Sequence, residues 1–101
     1  MILPEDCQTM VEVRAGVDAV DLQIVDLLAI RFRLMTAAAR IKQDRGTVRD
    51  EDRKAQVIAN AKAAAERVGV PPEVVGDLWE RLVEGSIAFE FVRWDEHRGQ
   101  P

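Results

Sequence analysis

The chain has one cysteine, Cys7, and one histidine, His97, among its 101 residues. A single thiol permits no internal disulfide, and with no histidine beside it in the sequence Cys7 lacks the usual activator of a nucleophilic thiol. His97 stands near the end of the chain, where a solvated role is expected, and no group of ligands has metal-site spacing, so neither a metal nor another cofactor is expected. There is no charged-then-apolar leader and no apolar run of the roughly 18 residues that a membrane helix needs. The expectation is a soluble cytoplasmic protein with no membrane partner. Charge of one sign is also lacking: 14 basic against 18 acidic residues leave a net −4. No sequence-wide field draws nucleic acid, and any anion must be caught by cations placed locally. What is present is apolar content, 48%, enough for a core and for one domain over residues 1–101.

Proline and glycine are sparse, and their positions divide the chain. After Pro4 no proline occurs before Pro71, and Gly16 and Gly46 are the only glycines before Gly69. "TMVE", Thr9 to Glu12, is a capping box in which hydroxyl and carboxylate satisfy the free N–H groups of a helix start. The first helix should run from there to about residue 44, ahead of Gly46. "RDED" places acids on the positive end of a second helix from about residue 50. Gly69 closes that helix, and Pro71 and Pro72 open a third to about residue 97, after which "RGQP" frays. The expected fold is all-α, with helices of roughly 35, 18 and 25 residues and no alternating strand pattern.

The long first helix carries an apolar seam at Met10, Val13, Val17, Val20, Ile24, Leu27, Leu34, Ala38 and Ile41. Its one gap is filled by Arg31. Lys42 lies eleven residues further on, about 20° away in azimuth and about 16 Å along the axis, so the two cations look at the same space. Snorkelling, with buried stems and wetted heads, is the plain reading. Length argues for more. A 35-residue helix spans about 52 Å, whereas a compact domain of this size has a radius of gyration near 13 Å. Two further helices cannot cover such a seam, and an antiparallel homodimer of long helices can. Arg14, about 25 Å before Arg31, is too far to share a small ligand with it in one chain. In such a dimer the Arg14 of one protomer would lie beside the middle of its partner.

Arg14, Arg31, Lys42, then "VRDEDR" with Asp50 and Arg53, then "SIAFE" with Ser86 and Glu90, resemble the all-helical chorismate mutases over essentially the whole chain. The sister branch, the isochorismate-pyruvate lyases, resembles it in "PEDC" and in the Arg14, Arg31, Lys42 frame. The resemblance implies an intertwined homodimer of three-helix chains, without cofactor, acting on a small dicarboxylate ether. The expected activity is the rearrangement of chorismate to prephenate, and the alternative is the lyase reaction giving salicylate and pyruvate. By the same resemblance Arg31 binds one carboxylate and Arg14 of the other subunit binds the second, as planar guanidinium forks do. Lys42 donates to the ether oxygen, and Glu90 faces that oxygen from the other side. Arg53 adds positive charge, Asp50 engages the ring hydroxyl and caps the second helix, and Ser86 helps to hold a carboxylate.

Two positions depart from the bacterial mutase pattern. Lys54 stands where those enzymes carry a carboxylate on the substrate hydroxyl, and its other reading is a solvated helix charge. Glu90 replaces their glutamine, and a glutamate donates only when protonated. A non-enzymatic helical dimerisation module is the remaining alternative. Trp79, Trp94, Phe32, Phe89 and Phe91 are expected to serve core and interface.

Overall fold

The computed structural model describes residues 2–99, and its regular elements are three α-helices and two short 3-10 turns: α1 (Met10–Ile41), α2 (Glu51–Val68) and α3 (Pro72–His97), with turns at Pro4–Asp6 and Arg45–Thr47. The all-helical expectation holds. The capping box forms at Thr9, whose Oγ1 accepts from the Glu12 N–H at 3.2 Å while its own N–H donates to Glu12 Oε1 at 3.1 Å. At the start of α2, Asp50 Oδ1 accepts from the Arg53 N–H at 3.0 Å, and Glu51 and Asp52 follow in the first turn, where the helix dipole favours anions. Gly69 closes α2 with φ 78°, a left-handed conformation that a Cβ would disfavour, and Pro72 supplies the preset φ at the start of α3.

One expected helix end is corrected. The first helix stops at Ile41, not near residue 44. Beyond it Asp44 Oδ1 accepts from the Gly46 N–H at 3.0 Å and starts a 3-10 turn, a local alternative to continued helix. At the other end of the chain "RGQP" does not simply fray. Arg98 and Gly99 form a turn, and the Arg98 guanidinium donates to main-chain oxygens at the end of α1; the rest of the expectation, on Gln100 and Pro101, lies outside the described residues.

The chain divides into two compact units, Met1–Leu34 and Met35–Pro101. The first consists of the N-terminal turn and most of α1, and within one chain its apolar seam is open. Met10 is 57% exposed, Val17 53% and Leu27 65%. An apolar groove of about 360 Å3, lined in part by Ile2, Pro4, Val13, Val17 and Val20, runs along the same helix. The second unit packs α2 on α3 around Val48, Val83 and Ile87, with Val57, Ile58, Trp79, Phe91 and Trp94 against them.

Ion pairs fasten the start of α2 to α3. Arg49 Nη2 donates to Glu84 Oε1 at 2.8 Å, Lys54 Nζ lies 2.8 Å from Glu84 Oε2, and Lys54 donates to Glu80 at 2.7 Å. Lys54 is therefore not a solvated helix charge; its side chain is 17% exposed and shared between two carboxylates. Hydrogen bonds from Arg49 first and Lys54 second hold the Glu84 carboxyl down to about 2, outweighing the opposing effect of burial. A carboxylate depressed in the folded state stabilises fully above its unfolded value, near 4.3, and progressively less as pH falls towards 2. Glu84→Gln should therefore lose stability at neutral pH, and its deficit against the wild type should shrink across that acid window. Urea unfolding at pH 7 and pH 3 checks this, and a deficit independent of pH would remove the charge from the explanation.

Candidate active site

Lys42 and Glu90 come together from residues 48 apart. Lys42 follows the last residue of α1, and its N–H completes that helix by donating to Ala38 O at 2.9 Å. From this helix end the side chain reaches α3, where Nζ donates to Glu90 Oε2 at 2.7 Å. The carboxylate side chain is 5% exposed and the lysine side chain 31% exposed, so Glu90 is enclosed while Lys42 is partly open. An enclosed carboxylate is costly unless a cation or hydrogen bonds compensate for lost water, and Lys42 supplies both. Ser86, one turn earlier on α3, is 3% exposed, and its Oγ donates to Leu82 O at 2.7 Å. Lys42, Glu90 and Ser86 thus lie in one unit, the last two on one face of α3.

The other expected residues are placed as follows. Asp50 caps α2, as its expected structural role required. Arg53 is exposed and donates from Nη1 to Gln56 Oε1 at 2.7 Å. Arg14 and Arg31 belong to the N-terminal unit, Arg14 exposed and Arg31 half-buried.

Several contacts here were not anticipated. Arg45 donates from Nε to Asp95 Oδ1 at 2.9 Å and from Nη2 to Oδ2 at 3.2 Å, and its guanidinium lies 4.6 Å from the Phe91 ring centre. The Arg45 contact holds the Asp95 carboxyl below the usual carboxylate range. Trp94, expected to serve core and interface, also donates from Nε1 to Lys42 O at 3.0 Å. A sequence signal existed for Trp94 and Arg98: they follow Glu90 at steps of four, on the same side of the helix.

The described residues thus form three helices with a lysine–carboxylate pair anchored between the end of α1 and α3. Residues 13–91 match the family "Chorismate mutase type II". The chain belongs to that family. It is 29% identical over 99 residues to the isochorismate pyruvate lyase of Pseudomonas aeruginosa, covering 98% of both chains. It is also 32% identical over 78 residues to a T-protein of Enterobacter agglomerans, covering 76% of this chain and 21% of that one. No described helix is long and apolar enough to cross a membrane.

Proposed function

We propose that the protein is a chorismate mutase working as a homodimer, with the domain spanning residues 1–101 and each of two sites completed by Arg14 of the partner protomer. The observation that carries this reading is the Lys42–Glu90 pair, 2.7 Å apart and enclosed on the Glu90 side, within the family's frame. The rearrangement breaks an ether C–O bond as a C–C bond forms, through a chair-like transition state, without a nucleophile. Its catalyst must hold a flexible side chain in reactive geometry and stabilise negative charge that grows on the ether oxygen. Arg31 and the partner's Arg14 would grip the two carboxylates and fix the chair. Lys42 would donate to the ether oxygen with Glu90 opposite, while Ser86 would support a carboxylate and Arg53 add positive charge. Asp50 would face the ring hydroxyl. Lys54, occupied by Glu80 and Glu84, is left without a part in hydroxyl recognition.

A second reading, isochorismate-pyruvate lyase, is favoured by the similarity to the Pseudomonas aeruginosa lyase over 98% of both chains. There the ether bond breaks as hydrogen moves to the departing enolpyruvyl group, and the same cations would serve. Chorismate and isochorismate offered separately to the purified protein, with prephenate, salicylate and pyruvate followed, decide between the two. Prephenate from chorismate is the expected product, salicylate and pyruvate alone would make the lyase reading correct, and an inert protein would favour the dimerisation module.

The dimer is supported by the open seam of α1, since large apolar side chains that are more than half exposed in one chain each gain on the order of 1 kcal/mol or more when covered. Helicity and activity should fall together on dilution, as followed by circular dichroism and sedimentation. A well-folded monomer would count against the shared site.

A further inference from the structure

One face of α3 grips Lys42 at both ends. Glu90, Trp94 and Arg98 follow one another at steps of four, so their side chains stack along one side of the helix and its C-terminal turn. Glu90 takes the ammonium at 2.7 Å. Trp94 Nε1 donates to the Lys42 carbonyl at 3.0 Å, and Arg98 Nη2 donates to the same oxygen. Arg98 Nη1 reaches back to Ala39 O at 3.0 Å, and the guanidinium lies 4.1 Å from the Trp94 ring centre. Ala39 is fully buried, so the main chain at the helix end is pinned from the core side as well.

We propose that Trp94 and Arg98 are positioning residues for Lys42. They fix its main chain at the end of α1 so that the ammonium is held beside Glu90, at the place where the substrate's ether oxygen would sit. The inference rests on the proposed role of Lys42 as donor to that oxygen. Lysine carries its charge on a flexible four-carbon stem, and precision at Nζ begins with a fixed root. The last carbonyls of a helix have no N–H partners of their own, and a cation there meets the negative end of the dipole. Arg98 meets both needs because its planar fork spans two carbonyl oxygens, Ala39 O and Lys42 O. A lysine at 98 would keep the charge without the fork. Capping alone would require only that the carbonyls be satisfied. Convergence of two of these contacts, one from Trp94 and one from Arg98, on the residue that reaches Glu90 ties the cap to the site.

Trp94→Phe removes the indole N–H and keeps a ring, Arg98→Met keeps an apolar stem on Trp94, and Arg98→Lys keeps the charge. Each is compared with wild type for kcat and KM on chorismate, well below its thermal midpoint. The order of the Lys42 ammonium is read by 15N relaxation, with the signal assigned through its loss in Lys42→Met. Expected for Trp94→Phe and Arg98→Met is a fall in kcat of about 10- to 100-fold, as for a misplaced catalytic group, with KM nearly constant and a more mobile Lys42 ammonium in the ligand-free protein. Arg98→Lys should recover only part of the loss. Unchanged kcat per folded molecule, or a fall in kcat with the ammonium as ordered as in wild type, would overturn the proposal. A wild type inert on chorismate overturns the mutase reading instead. The relaxation measurement then decides the clamp alone, where loosening in both variants supports it and no change refutes it.

Discussion

Arg31→Met is expected to lower kcat/KM on chorismate on the order of 1,000-fold, equivalent to about 4 kcal/mol of transition-state stabilisation, while helix content and thermal midpoint stay close to wild type. Arg31 fills the one gap in the apolar seam of α1, and methionine matches the reach of its stem without the charge. A guanidinium placed for a carboxylate would contribute two parallel charge-assisted hydrogen bonds, and its loss would leave the substrate anion without a counter-charge. A residue that merely snorkels would show the opposite pattern, a modest change in stability with no separable change in turnover. The partner's part is tested by mixing. Arg14→Ala and Arg31→Ala chains should each be nearly inactive. After subunit exchange, half of the dimers are mixed and each has one site with both arginines, so roughly one quarter of wild-type turnover should return. No recovery once exchange is verified would remove Arg14 from the partner's site.

The local features of this fold were legible because they are set by neighbours in sequence. The Thr9–Glu12 capping box, the Asp50 cap and the left-handed Gly69 each involve residues within a few positions of one another. The end of α1 was misplaced because Asp44 starts a 3-10 turn there, and the carbonyls left open at Ala39 and Lys42 are met by Trp94 and Arg98, more than 50 residues away. Helical periodicity is silent about such partners. The ion pairs show the same limit: Arg49 meets Glu84 across 35 residues and Arg45 meets Asp95 across 50, and nothing in the charge pattern of either segment selects those pairings. Lys42 and Glu90, 48 apart, were paired beforehand only through the family resemblance. Lys54 illustrates how burial changes a reading. As a charge in "RDEDRK" it looks solvated, and only the packing of α2 on α3 brings it to Glu80 and Glu84.

Glu90→Gln should keep or raise the mutase rate near neutral pH rather than abolish it. Oε2 of Glu90 already accepts from Lys42 Nζ at 2.7 Å. A carboxylate only accepts, so it offers no donor to the ether oxygen as negative charge develops there. Glutamine has nearly the same shape. Its carbonyl oxygen can accept from Lys42 while its amide donates to the ether oxygen. A hydrogen bond gained as charge grows in the transition state should raise kcat by up to about tenfold. KM should change little, because the donated hydrogen bond strengthens mainly as charge grows in the transition state. Steady-state kinetics on chorismate at neutral pH check this. A Glu90→Gln protein that folds and is dead would assign the Glu90 charge to holding Lys42 in place and would leave Lys42 as the sole donor to the ether oxygen.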